Sequence, residues 1–597
     1  MPAASAEVDG DVDVEVDEID GALDLPTSDQ DVEEGGPVEP AKPRKLRFFG
    51  RPSFGGLVFA LVFWWQSLSP TLLPRSWTVQ AAITAICVAI GYAIGTLAGR
   101  IGHLVLRRVG REPSPSVKRG AWLGVFGVAV VVIVATTFVW PRWQNEQRAL
   151  VDMDDVSRLV TLPMLLVTAV LLLVLVLFGR LIGRGVERLY RFNARHLPQP
   201  VAIPLTVVLI AFFGGVVAKD AVVDSFSDWA NSAFSTVDDG TTPGTVQPTA
   251  ATVSGSPDSK VAWDDLGQQG RDFVAQATPE ERMAEFAGPG ADPMAPIRVY
   301  VGLKSADDAD ARAALAVEEL ERTGAFDRQV LVVATSTGTG WIDPDAAEAL
   351  EVMYRGDDAI VSMQYSYLPS WISTLLDKQK AQDAGSALYN AVWERWKELP
   401  EGDRPQLVAF GLSLGAFGGE SAFVGEDARS SAANLVERTE GALWYGSPNE
   451  TEMWRQFTNG RDEGSPFWEP AYDDGETVRF LTRGPDPNDL PDTWDGPRVL
   501  FFQHPSDPVT FWDFDWWWSK PGWMDEPRGY DIAQQGRWFP IVTGTQGVFD
   551  LMAGFSAPPG YGHDYRLDYV EGWSLVAPPD GWTEADARRL EQFLHPS

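Results

Sequence analysis

Cysteine is nearly missing from this chain: one residue, Cys87, in 597. Neither a disulfide framework nor a cysteine-built zinc site is available, and Cys87, inside an apolar stretch, reads as a small buried hydrophobe. Histidine is scarce too, at five residues. Four-ligand metal schemes are therefore strained, a metal enzyme is not expected, and no cofactor is called for. Basic charge is in short supply, with 48 Lys and Arg against 83 Asp and Glu and a net charge of -35. Such a surface repels phosphates, which sets nucleic acid aside as a partner.

A chain of this length implies two or more folded units. Residues 1–41 are rich in Asp and Glu, contain no Lys or Arg and show no sustained apolar face; a disordered, solvated tail is expected. It lacks the basic n-region of a cleaved signal peptide. Five long apolar stretches follow, at about 54–73, 79–98, 121–140, 159–178 and 201–220. Each approaches the roughly 20 residues that a bilayer-spanning helix needs, and buried helices of a soluble protein rarely stay apolar for so long. A five-helix transmembrane domain over 42–223 is the reading, with the lipid bilayer as a partner.

Lys and Arg in the connections set the orientation. KPRKLRFFGR before the first span, Arg100, Arg107, Arg108, Arg111, Lys118 and Arg119 after the second, and Arg180, Arg184, Arg188, Arg191 and Arg195 after the fourth mark cytoplasmic faces. Five crossings from a cytoplasmic N-terminus then put everything beyond about 224 outside the cytoplasm. Gly91, Gly95 and Gly99 recur at a spacing that allows close helix packing, within the unit or in an oligomer. Residues 224–260, rich in Thr, Ser, Gly and Pro, read as a linker.

From 261 onward, strand-like and helix-like segments alternate, the pattern of a mainly parallel sheet covered by helices. The strand candidates are IRVYVGL (297–303), QVLVVATS (329–336), AIVSMQY (359–365), QLVAFG (406–411), ALWYGS (442–447), VRFLTR (478–483) and RVLFFQ (498–503). After the fourth comes GLSLG, a G-x-S-x-G match. The five letters decide little alone, but a strand before Ser413, glycines on both sides and a small-residue helix start after it are the context of a nucleophile elbow.

An elbow serine needs an acid and then a histidine later in the chain. Asp507, in RVLFFQHPSDPV, follows a strand; His563, in PPGYGHDYR, lies on a Gly/Pro-rich loop beyond it. Ser413, Asp507 and His563 are the catalytic candidates, with His504 the alternative base, Asp513 and Asp515 the alternative acids, and His595 too close to the end. Oxyanion donors are expected from the Leu414 amide and from Thr337 and Gly338 in TSTGTGW (335–341). After Asp507 comes TFWDFDWWWSKPGWMDEPRGY. Its tryptophans read either as a cap that meets an acyl chain or the membrane interface, or as core between the sheet and a covering helix. Trp341, Tyr365, Trp512 and Trp516 are the candidates for touching substrate.

The segments VVATSTGTGWIDP, MQYSYLPSW, GLSLGAFGGE, HPSDPVTFW, RWFP and GYGHDYR together resemble a bacterial, mainly actinobacterial family of membrane-anchored α/β-hydrolases (alpha/beta-hydrolase family 9 type). The resemblance implies a helical membrane module ahead of an α/β-hydrolase domain, Ser413 as nucleophile and Asp507 and His563 as its partners. The expected activity is that of a serine hydrolase on acyl-ester or lipid substrates. An acyltransferase of envelope lipids is the alternative, as is an inactive hydrolase-fold scaffold on a membrane transport or assembly module. One feature departs from the general fold: VRFLTR stands between the presumed sixth and seventh strands, and no strand is evident before the histidine.

Overall fold

The structure, a computed structural model, describes residues 52–596 apart from 111–113, 199–201, 210–224, 377, 489 and 492. The predicted acidic tail and most of the fifth predicted span lie outside the described residues. Four helices come first: α1 (Phe54–Ser67), α2 (Trp77–Arg108), α3 (Pro115–Arg148) and α4 (Thr161–His196). Among the described residues, α2, α3 and α4 are long and apolar enough to cross a membrane. α1 and α2 form an antiparallel hairpin. A Cβ on Gly95 would fall 2.2 Å from the Gly55 carbonyl oxygen, so the small residues are what let these two backbones touch.

The first apolar stretch behaves differently from its sequence reading. Its helix ends at Ser67 after 14 residues, about 21 Å, because Pro70 and Pro74 cannot continue it. The apolar residues beyond, Leu68, Leu72 and Leu73, are buried. Leu72 and Leu73 join the core of the following domain rather than facing lipid. These helices and the sheet domain that follows them form one compact unit, Pro52–Ser597.

That domain holds seven parallel strands: β1 (Ile297–Val301), β2 (Val330–Thr335), β3 (Asp358–Met363), β4 (Gln406–Leu412), β5 (Gly441–Tyr445), β6 (Val478–Leu481) and β7 (Arg498–Phe502). Their order is β1-β3-β2-β4-β5-β7-β6. The central strands are apolar runs buried along almost their whole length, as a sheet covered on both faces requires. VRFL, the segment out of place in the sequence reading, takes the edge beyond β7. The chain approaches His563 instead through the helix Val542–Ala553 and a loop. The predicted linker is also more than a tether. Ser225–Asp238 is helical, and the Arg298 amide donates to Thr252 O while the Ser254 amide donates to Arg298 O. These bonds cover the open edge of β1.

In register, Thr335 lies beside Gly411, Leu412 beside Tyr445 and Tyr445 beside Phe502. The loops after β2, β4, β5 and β7 therefore emerge side by side at the carboxyl edge, where open α/β sheets place their sites.

Numbering the helix Val542–Ala553 as α6, after the helix α5 (Leu414–Glu420) that follows Ser413, α6 joins the domain to the apolar helices. Asp550 on α6 receives the Thr71 hydroxyl, the Leu72 amide (3.3 Å) and Arg75 Nε (3.4 Å), all out of solvent. The Arg75 amide in turn donates to Gln144 Oε1 (2.6 Å) on α3. Removing one member of such a pair strands the other charge, so Arg75→Ala is expected to cost about 3–5 kcal/mol. Thermal unfolding of the detergent-solubilised chain checks this.

Candidate active site

Ser413 stands between the end of β4 and the start of α5, with φ 57° and ψ -123°. A non-glycine residue is rarely found there, and the neighbouring glycines make it feasible. A Cβ on Gly411 would lie 2.5 Å from the Ala416 nitrogen, and one on Gly415 2.2 Å from Thr335 O. The Ser413 amide is tied to Tyr445 O (2.9 Å), and its side chain does not cap the helix. The hydroxyl is thus left for chemistry, and the first-turn amides, Leu414 foremost, have no preceding turn of helix to bond.

Asp507 and His563 meet above the next strand but one. His563 Nδ1 lies 2.7 Å from Asp507 Oδ2. The same carboxylate accepts from the Tyr565 hydroxyl (2.6 Å), from Thr510 Oγ1 (3.2 Å) and, on Oδ1, from the Val509 amide (2.8 Å). Burial alone would raise this carboxyl. The charge of His563 and these donors outweigh it and hold Asp507 below its usual range. In the neutral ring, with Nδ1–H donated to Asp507, Nε2 is the bare nitrogen. It is buried and without a hydrogen-bond partner.

Gly446, next to the Tyr445 that anchors Ser413, explains how the ring comes so close: at φ 54°, a Cβ there would fall 2.6 Å from His563 Cε1 and 2.8 Å from Asp507 Oδ2. Among the described residues no hydrogen bond yet joins the Ser413 hydroxyl to His563. Such bonds are often loose in a ligand-free site and tighten around substrate.

The alternatives face elsewhere. His504 is fully buried, with Nδ1 2.9 Å from Gly562 O and Nε2 3.1 Å from Asp568 Oδ2. Its ring is stacked on Tyr565. A carbonyl and a carboxylate are both acceptors, so the ring is an imidazolium that pins the backbone beside His563; its affinity for the proton is raised, Asp568 outweighing the opposing effect of burial. Asp513 pairs with Arg455 (3.0 Å), and Asp515 is exposed and accepts from Trp518.

The loop expected to supply the second oxyanion donor follows β2, but its amides are engaged: Thr337 donates to Trp341 O (3.0 Å) and Gly338 to Ser370 Oγ (3.4 Å). The glycine at 338 serves close packing, since a Cβ would meet Leu368 O at 2.5 Å. Trp341 is half-buried and Tyr365 buried just past β3. Trp512 and Trp516 lie on α6 at Gly547. Trp516 is 2% exposed and packed on Trp523, so its ring is core in this structure.

Sequence reasoning missed Tyr565, Thr510, Gly446 and Glu420. Tyr565 stands two residues after His563 in HDYR, and nothing in that spacing announces that its hydroxyl turns back to the acid. Glu420, at the end of α5, accepts from Ser447 Oγ (2.5 Å) and the Trp454 amide (3.2 Å). Complete burial pushes its carboxyl up to about 8. The folded chain therefore keeps a proton there that the unfolded chain releases near its usual value of 4.5. Glu420 should cost stability progressively as pH rises from about 5 to 8; Glu420→Gln is expected to flatten that part of the melting-temperature profile.

A strained serine on a strand-to-helix turn, with an Asp–His pair at the same sheet edge, defines an α/β-hydrolase class of site. Two family models match the chain, one described as "Alpha/beta-hydrolase family N-terminus" over 68–278 and one as "Alpha/beta-hydrolase family" over 297–590. They take in the helices and the sheet domain in succession, and the chain belongs to this alpha/beta-hydrolase family. No curated protein matches it. Two solved structures of acetyl xylan esterase are similar over 38% of this chain. The first covers 95% of its own length at 12% identity and a TM-score of 0.20, the second 98% at 11% and 0.19. A likeness of that size carries no conclusion about what this chain acts on.

Proposed function

We propose that this chain is a membrane-anchored serine hydrolase of acyl esters, working through an acyl-enzyme outside the cytoplasm of a bacterial cell. The observation that carries the reading is Ser413 in strained backbone at the end of β4, with His563 fixed by Asp507 over the adjoining Gly446. In the reaction, Nε2 of His563 takes the Ser413 proton as Oγ bonds to the ester carbonyl carbon. The developing oxyanion is met by the Leu414 amide. The imidazolium, held by Asp507, returns the proton to the leaving alkoxide as the ester bond breaks. Water, deprotonated by the same nitrogen, then attacks the acyl-serine; the bond from the carbonyl carbon to Oγ breaks, the imidazolium returns the proton to Ser413 Oγ, and the carboxylic acid leaves.

Anchoring is supported by α2, α3 and α4. The basic ends of α2 and α4 lie away from the hydrolase domain, whereas Thr71, Arg75 and Gln144 are bonded toward it. The chain must return from His196 to the helix Ser225–Asp238, which docks on the domain through the Gln268 amide and Gln364 Nε2 at Asp238. The fifth apolar stretch of the sequence is expected to supply that return, and its later residues lie outside the described ones; α1, at 14 residues, is the short member of the set. The test is labelling of the purified chain with a fluorophosphonate, followed by a series of p-nitrophenyl esters of increasing acyl length. No labelling of the folded protein would turn the reading toward a non-catalytic scaffold.

A further inference from the structure

The exposed Phe and Trp side chains among the described residues of the hydrolase domain are three: Phe514 (60%), Trp518 (58%) and Phe555 (60%). Two of them stand together, Phe514 meeting Trp518 edge to face at 5.0 Å, at the tip of the tryptophan-rich segment. Its depth relative to the apolar helices follows from α6. The C-terminal end of α6, Asp550, is bonded to Thr71 and Arg75, just before α2 begins. Midway, Gln546 Nε2 donates to Ser67 O and Ser69 O. Its first residue, Val542, packs with Phe63, Ile83 and Cys87.

From Asp550 back to Val542 is eight residues, about 12 Å; from Trp77 on to Cys87 is ten, about 15 Å. The two descents agree, so α6 runs down beside α2 and brings its N-terminal end alongside the apolar part of that helix. The tryptophan segment rides on that end. The Ile541 amide donates to Trp517 O (2.7 Å), Trp538 Nε1 donates to Trp516 O (2.9 Å), and the Trp517 ring lies against Gly544. Phe539 meets Phe63 of α1 edge to face at 5.4 Å. Phe63 is followed by Trp64 and Trp65, which cluster with Trp77, Trp140 and Trp143. These tryptophans gather at one end of the apolar helices, Trp140 buried and the others half-buried, and tryptophan is enriched where lipid headgroups begin.

We infer that Phe514 and Trp518 extend this tryptophan level from the hydrolase domain and sit among the lipid headgroups of the leaflet facing that domain. The occupant of the exposed aromatic face is phospholipid. The argument rests on the anchoring part of the proposed function and not on the chemistry at Ser413. It gives the two alternatives left open for the tryptophans different members: Trp516 and Trp523 are core, and Trp518 is the lipid contact. Its Nε1, bonded to Asp515 Oδ1 (3.1 Å), supplies the polar end that such a position calls for.

The chain's sole cysteine, Cys87, is buried, so single nitroxide labels can be placed on the full-length protein, with unmutated chain as the background control. Phe514→Cys, Trp518→Cys, Val130→Cys on the exposed face of α3 and Glu401→Cys on the distant domain surface would be labelled. Each would be reconstituted in nanodiscs of phosphatidylcholine and phosphatidylglycerol, and collision with oxygen compared with collision with a water-soluble nickel chelate. The expected result is a ratio at 514 and 518 several-fold above that at 401, approaching that at 130. If 130 is lipid-exposed while 514 and 518 match 401, the inference is overturned and anchoring stands. If 130 also matches 401, anchoring fails and the inference with it. Fluorophosphonate labelling of Ser413 is independent of either result.

Discussion

Ser413→Ala should remove fluorophosphonate labelling completely and lower ester hydrolysis by about 10⁴-fold or more, the scale seen when an acyl-transfer nucleophile is deleted. Its effect on stability should be small, because alanine inherits the same left-handed backbone and loses only a hydroxyl that makes no hydrogen bond among the described residues. Ser413→Gly separates the two roles. With no Cβ, glycine accepts φ 57° and ψ -123° without steric cost, so this variant should be as inactive as alanine yet more stable by on the order of 1 kcal/mol. A serine held in strain for chemistry predicts that trade of stability for activity. A serine in an ordinary turn predicts that both variants keep the turnover and the labelling of the unmutated chain. Paired measurements of melting temperature and turnover distinguish them.

The sheet was open to reading from the sequence because each strand is a short run such as VLVVAT or QLVAF, bounded by turn residues, and all seven segments recur as strands. The elbow was legible for the same reason: Gly411, Ser413 and Gly415 are adjacent in sequence, so their geometry is local. What escaped was non-local. That LSPTLLPR continues an apolar stretch yet buries Leu72 and Leu73 in the hydrolase core depends on Asp550 and Gln546, which lie more than 470 residues away. Hydropathy measures aversion to water and does not distinguish lipid from a protein interior. The place of VRFL depends on which edge of β7 is free. A glycine loop permits inward amides, which is what points to Thr337 and Gly338 in the sequence, whereas here Gly338 is set by the approach of Leu368 and Ser370.

Asp507→Asn is expected to lower turnover by about 10⁴-fold while leaving the backbone around His563 in place. An asparagine amide that keeps a hydrogen bond to Nδ1 by donating to it forces the proton onto Nε2, the nitrogen that must be bare to accept from Ser413. Nor can the side chain any longer balance an imidazolium. The pH dependence of stability should change with a definite sign. Asp507 has its carboxyl depressed in the fold below the usual 3.8, so its contribution is fully present above about pH 4 and is lost as pH falls through the folded value. The asparagine variant should lack that acid loss. Tyr565→Phe provides the graded control. It removes one hydrogen bond to a charged acceptor, about 1.5–3 kcal/mol, and should raise the Asp507 carboxyl, moving the acid loss of stability to higher pH, while reducing turnover far less than Asp507→Asn. If Tyr565→Phe instead matched Asp507→Asn in turnover with an unchanged acid profile, the carboxylate would not be acting through His563, and the assignment of the acid would have to move.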